Sequence, residues 1–66
     1  MFLELVEQES DEVVIINVEH ILMVKPVDDD VTAIVFSGSE RITVRCPFPV
    51  VRDFLITQRH EGKAGQ

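Results

Sequence analysis

Cys46 is the residue of this chain whose type is best suited to covalent chemistry. It lies just before a predicted helix, and a helix N-terminus can lower the pKa of a nearby thiol. A nucleophilic cysteine also needs a base and a group that orients the base, and no such constellation can be recognised in the sequence. Strand alternation instead directs Cys46 into the core beside Val44, where a free cysteine behaves as a small apolar side chain. We therefore predict no catalytic residue, and a protein that is not an enzyme.

Two patterns could supply metal ligands. Asp28 to Asp30 offers carboxylates, which calcium prefers, but the EF-hand spacing is absent and a solvated hairpin turn is the simpler interpretation. One thiol, on Cys46, and two distant histidines, His20 and His60, do not match any zinc-finger spacing. The sequence also lacks a glycine-rich phosphate loop. We predict no metal and no cofactor, and the sequence leaves open whether the three aspartates bind a cation.

Three arginines, Arg41, Arg45 and Arg52, could contact phosphate groups. The chain has 12 acidic and 6 basic residues, for a formal charge of −6. Nonspecific binding to nucleic acid depends on clustered cations, as does attraction to anionic lipids, so neither partner is favoured. The alternative hypothesis is a small nucleic-acid-binding regulator in which a dimer aligns Arg41, Arg45 and Lys25 into a basic strip.

The pattern of apolar residues predicts an α+β fold. Five segments have strand-like composition or alternation: residues 2–8, 13–16, 21–26, 32–36 and 41–46. The first places Leu3 and Leu5 on one face, and the last directs Ile42 and Val44 inward. Apolar residues then recur at helical spacing, which predicts a helix over 49–58. We predict a small antiparallel β-meander of about five strands with one C-terminal α-helix, as a single domain over 1–58 followed by a flexible polar tail over 59–66.

Length and composition indicate the number of domains and the cellular compartment. A chain of 66 residues has room for one hydrophobic core. A single cysteine permits no intrachain disulfide, which is typical of a reducing compartment. The opening Met1 to Glu7 has too many acidic residues for a signal peptide or a membrane span. We therefore expect a soluble cytoplasmic protein with no membrane partner.

An excess of apolar strand surface predicts self-association. Val13 to Ile16 is β-branched throughout with no polar alternate, so both faces of that strand should meet apolar neighbours. One short helix can cover only one face of a sheet, and a symmetric dimer is the simplest way to bury the remainder. Phe48, between two prolines, either anchors a partner or acts as a hydrophobic staple at the start of the helix. The predicted interface residues of this non-catalytic interaction module are Val13, Val14, Ile15, Ile16, Leu22, Val24 and Phe48.

One protein family has a similar order of residues in the middle of its sequence. The shared positions, which cover somewhat under half of the chain, are Ile16, Asn17, Glu19, Ile21, Thr32, Ile34, Phe36, Gly38, Ile42 and Val44, followed by a terminal helix. In these positions the chain resembles the small flagellar and swarming-motility proteins typified by FlbD, and more distantly the LytTR-type DNA-binding domain. That family usually has a glycine in its first hairpin, where this chain has Glu9 to Glu12, and does not usually have Cys46 to Pro49 after its last strand. The resemblance implies a small accessory or regulatory protein and carries over no catalytic residue.

Overall fold

Five strands and one long helix make up the fold of residues 1–64. The computed structural model describes the backbone of residues 1–64 and the side chains of residues 1–57. The elements in chain order are β1 (Phe2–Val6), β2 (Val13–Asn17), a 3-10 turn (Val18–His20), β3 (Ile21–Asp28), β4 (Val31–Phe36), β5 (Arg41–Val44) and α1 (Phe48–Ala64). All strand pairs are antiparallel. The α+β class, with five strands and a C-terminal helix, is confirmed.

The strands divide into two sheets where the sequence predicts one meander. β1 and β2 form a hairpin, and β3, β4 and β5 form a three-stranded sheet in that order. The end of β1 meets β5 through a bridge between Glu7 and Val44. Two backbone hydrogen bonds continue this junction: the Gln8 N–H donates to the Thr43 carbonyl (2.9 Å), and the Arg45 N–H donates to the Val6 carbonyl (2.8 Å). The hairpin can therefore fold over one face of the larger sheet.

The core lies between the hairpin and the three-stranded sheet. Its buried centre is Ile16, Ile34 and Val44. Partly buried side chains packed against this centre are Leu3, Leu5, Val14, Ile21, Val24, Phe36, Ile42 and Cys46. The inward direction predicted for the alternating residues of β5 is confirmed, and the β1 face that packs on the core is the one that carries Leu3 and Leu5.

β4 is the central strand and is covered on both faces. Thr32, Ala33 and Ile34 are consecutive and all fully buried, and consecutive strand residues point to opposite faces. Ile34 faces the hairpin side, where the core cluster lies. α1 contacts β3 and β4, and its Val51 is almost completely buried. The two covers of β4 are therefore a hairpin and a helix.

The helix is longer than its apolar stripe predicts. α1 begins at Phe48, and the carbonyl of Pro47 accepts hydrogen bonds from the N–H groups of Val50 (3.0 Å) and Val51 (3.3 Å). Its backbone continues to Ala64, past the predicted end at position 58, because 59–64 contains no proline and includes good helix formers. The mobility of 59–66 stays a prediction, and positions 65 and 66 lie outside the described residues. No helix in the described 1–64 backbone has the length and apolar character to cross a bilayer.

Candidate interaction surface

The register of the β1–β2 hairpin separates its residues into two faces. Leu3 is opposite Ile16, and Leu5 is opposite Val14, and these four side chains contact the core cluster. The alternate positions point the other way. We call them the outer face of the hairpin, and its members are Phe2, Glu4, Val6, Val13, Ile15 and Asn17.

Three large apolar side chains on the outer face are open to solvent. Ile15 is 68% exposed, Phe2 66% and Val13 59%, whereas the neighbouring Ile16 is only 6% exposed. Glu4, directly opposite Ile15, is also exposed. Diagonal neighbours across two strands lie about 7–8 Å apart, so Phe2 and Ile15 form one patch. Contiguous exposed apolar surface of this kind is characteristic of binding sites.

The structure distributes the predicted segment Val13 to Ile16 between core and surface. Val14 and Ile16 are used inside the subunit, because the hairpin folds onto the sheet and gives them apolar neighbours. Val13 and Ile15 point away from that core and stay exposed. This strand therefore does leave apolar surface exposed. Two of the four predicted side chains, Val13 and Ile15, contribute to that surface, and the other two are used in the core.

β3 presents its exposed apolar residues at irregular positions. Its register with β4 shifts between Ile21 and Met23 and again between Pro26 and Asp28, so Leu22 and Val27 have no residue opposite them. Both side chains are more than half exposed. Val24 instead packs against the core cluster.

Phe48 is the first residue of α1 and is half-buried. This burial is compatible with both roles that the sequence leaves open, a staple at the helix start and a partner anchor. Val50 and Ile56, farther along the helix, are exposed and lie six positions apart. A separation of six positions spans more than one turn and a half, so they do not form one patch.

Cys46 is tied to the core by its backbone as well as by packing. The Thr32 hydroxyl donates a hydrogen bond of 2.7 Å to the Cys46 carbonyl, which links the buried centre of β4 to the segment before α1. Burial raises the pKa of the Cys46 thiol, because desolvation disfavours the thiolate. The thiolate is the nucleophilic form, so this environment makes the side chain less reactive.

The cations of the proposed basic strip are dispersed, and Arg45 lies among acidic residues. Arg45 forms an ion pair with Asp11, with an Nη1 to Oδ1 distance of 2.6 Å. A surface groove beside Arg45 is also lined by Glu9 and Asp30. Lys25 lies on β3, opposite Ala33 of the central strand β4, and is two strands away from β5. This arrangement offers phosphate groups little uncompensated positive charge.

The three aspartates form a turn. Asp28 ends β3, and one of its carboxylate oxygens accepts a hydrogen bond of 2.8 Å from the Asp29 N–H. Among the described residues, no group of three or more His, Cys, Asp or Glu side chains is placed to hold a metal ion. His20 ends the 3-10 turn and lines a groove near the C-terminal end of β2.

Phe2 is the large exposed apolar residue of the outer face that the predicted interface omits. The position of Phe2 could have been found in the sequence, since the alternation of β1 already places Phe2 on the face opposite Leu3 and Leu5.

Searches of family models, of curated proteins and of solved structures find no match to this chain. The resemblance to the FlbD family therefore stays a prediction.

Proposed function

We propose that this protein is a non-catalytic interaction module that self-associates, with a dimer as the simplest assembly, through β2 and the outer face of the hairpin. The observation that supports this proposal is the exposure of Phe2, Val13 and Ile15 on one side of a hairpin whose other side is core. A symmetric dimer brings the same patch of each copy together, so one surface provides both halves of the contact.

The size of the patch determines how strong this association can be. Burying a large aliphatic or aromatic side chain contributes about 1.5–3 kcal/mol, and these three are about two-thirds exposed, so each could contribute about 1–2 kcal/mol. Six such side chains in a symmetric dimer give an upper limit of about 6–12 kcal/mol, against an association cost of about 4–15 kcal/mol. We therefore expect a reversible dimer whose population depends on protein concentration.

Charge opposes the association. Each copy carries a formal charge of −6, and Glu4 lies within the patch. Salt screens repulsion between exposed charges, so added salt should strengthen the dimer. An assembly held by intermolecular ion pairs would respond in the opposite direction.

The test compares two matched lysine substitutions by size-exclusion chromatography with light scattering. Refractive-index detection is needed, because the chain has no Trp and no Tyr. The wild-type chain should approach 15 kDa, twice the 7.5 kDa of one chain. Ile15→Lys should return it to 7.5 kDa. Leu22→Lys, which adds the same charge at an equally exposed position on β3, should leave the dimer intact.

The results would separate the possible surfaces. A wild-type mass of 7.5 kDa at every concentration would contradict the proposal. Loss of the dimer in Leu22→Lys alone would move the contact to β3. The same samples test the alternative function, since a nucleic-acid-binding regulator would shift the mobility of an RNA or DNA probe at low salt, where phosphate contacts are strongest.

A further inference from the structure

β2 and β3, the edge strands farthest from the junction between the two sheets, differ in how well their free edges are protected. Among the described residues, β2 is paired only with β1, and β3 only with β4. The β3 edge carries Pro26, which has no N–H, and its register is broken by two bulges. Prolines and bulges are features by which natural sheets prevent pairing with another strand.

The β2 edge has none of these features. Val13 to Asn17 pairs with β1 over five consecutive residues without a bulge, and it contains neither a proline nor a charged side chain. A regular pairing on one side leaves a regular row of N–H and C=O groups on the other. A groove opens beside the C-terminal end of this strand. It is lined by Ile15, Ile16, Asn17 and His20 together with Phe36, Ser37, Gly38 and Glu40.

From this contrast we infer that β2 pairs antiparallel with β2 of a second copy, so that the two hairpins form one four-stranded sheet. The inference rests on the self-association proposed above and narrows its contact to the β2 edge, where Val13 and Ile15 are covered along one flank while Phe2, on β1, stays outside the contact. The two-fold axis passes beside Ile15, the middle residue of the strand, and the Ile15 side chains of the two copies become cross-strand neighbours. Val13 of each copy then lies opposite Asn17 of the other.

Net charge opposes the pairing of any two copies, and β2 is the edge strand at which that opposition is weakest. The protein is strongly acidic, yet the β2 strand is neutral throughout, so two copies can align there without a charged side chain in the paired segment. Stacking the outer faces against each other would instead enclose the two Glu4 carboxylates, because Glu4 is opposite Ile15 within the patch.

Edge pairing keeps those carboxylates apart. Glu4 and Ile15 of one copy, followed by Ile15 and Glu4 of the other, would lie in a row across four strands. Three strand spacings separate the two Glu4 residues by about 14 Å. That distance exceeds the screening length of about 8 Å at physiological salt, so the two charges interact weakly.

The experiment is amide hydrogen exchange of the wild-type chain below and above the concentration at which its mass doubles. Edge pairing predicts that amides of residues 13–17 that point away from β1 exchange more slowly in the dimer, by at least tenfold, while those of β3 are unchanged. Glu4→Gln provides a second readout, and edge pairing predicts less than a threefold change in the dimer dissociation constant.

The outcomes separate edge pairing through β2 from self-association in general. A doubled mass with slower exchange in β2 supports edge pairing. A doubled mass with unchanged β2 exchange, with slower exchange in β3, or with a dimer strongly tightened by Glu4→Gln overturns edge pairing and leaves self-association in place. A mass of 7.5 kDa at every concentration overturns both.

Discussion

Replacing Ile15 or Ile16 with alanine separates the stability of one subunit from the strength of its self-association. The two residues are adjacent in β2 and chemically identical, but Ile15 is 68% exposed and Ile16 is 6% exposed. Ile16→Ala should lower the free energy of unfolding of the monomer by about 2–5 kcal/mol, because it leaves a cavity in the core. Ile15→Ala should lower it by about 1 kcal/mol or less, which is the range of strand propensity.

The effect on the dimer follows from the same exposures. Ile15→Ala removes three carbons, and burying one carbon fully contributes about 0.8 kcal/mol. Because Ile15 is 68% exposed in the monomer, complete coverage of these carbons in a dimer would contribute about 1.6 kcal/mol per copy. Two copies lose about 3 kcal/mol, which weakens the dimer about 200-fold. Edge pairing covers only the flank that meets the second copy, about half of that surface, so the expected weakening is about 15-fold.

Urea unfolding followed by far-UV circular dichroism measures the free energy of unfolding, at concentrations where the chain is monomeric. Sedimentation equilibrium with refractive-index optics measures the dissociation constant of the dimer. Equal losses of monomer stability in the two variants would contradict the faces assigned to β2. An unchanged dissociation constant in Ile15→Ala would contradict a contact at Ile15, and a weakening near 200-fold would favour stacked outer faces over edge pairing.

Three further predictions concern the interior and one turn. Thr32→Val should lower the free energy of unfolding by about 1–3 kcal/mol, because the Cys46 carbonyl loses its hydrogen-bond donor, and an unchanged urea midpoint would refute this. In the β4–β5 turn the left-handed residue is Ser39 (φ 73°) and Gly38 has no positive φ, so Gly38→Ala should stabilise by about 0.4–1 kcal/mol and Ser39→Gly by up to about 1 kcal/mol. Thermal unfolding measures both, and a fall in either melting temperature would count against the turn geometry. Burial raises the pKa of the Cys46 thiol, so iodoacetamide should alkylate it more slowly than free cysteine at pH 8, and equal rates would contradict its packing. The unfolded chain releases this proton first, so stability should decrease as pH rises above the pKa of the unfolded thiol.

Much of the fold could be predicted from local pattern. The alternation of β5 identified Ile42 and Val44 as inward-facing, and that of β1 placed Leu3 and Leu5 together on one face. In β5 this succeeds because the outward face is polar, with Arg41 and Thr43, so the strand has only one way to bury its apolar residues. The C-terminal helix followed in the same way from its apolar spacing.

The division into two sheets could not be predicted in this way. The two sheets meet through a bridge between Glu7 and Val44, residues far apart in sequence whose types indicate no pairing. The uniform run of β2 has no alternation, so its two faces could be assigned only once its register with β1 was known. The bulges at Leu22 and Val27 likewise have no local signal. The sequence therefore identified the segment that carries the candidate surface, while tertiary structure determined which half of its side chains remain available.

Small-angle X-ray scattering over a concentration series tests self-association most directly. One chain has a Cα radius of gyration of 11.9 Å and a mass of 7.5 kDa. We predict that the scattering mass rises toward twice that value with concentration and that the radius of gyration increases with it. A mass and radius that match a single chain throughout the series would contradict the account.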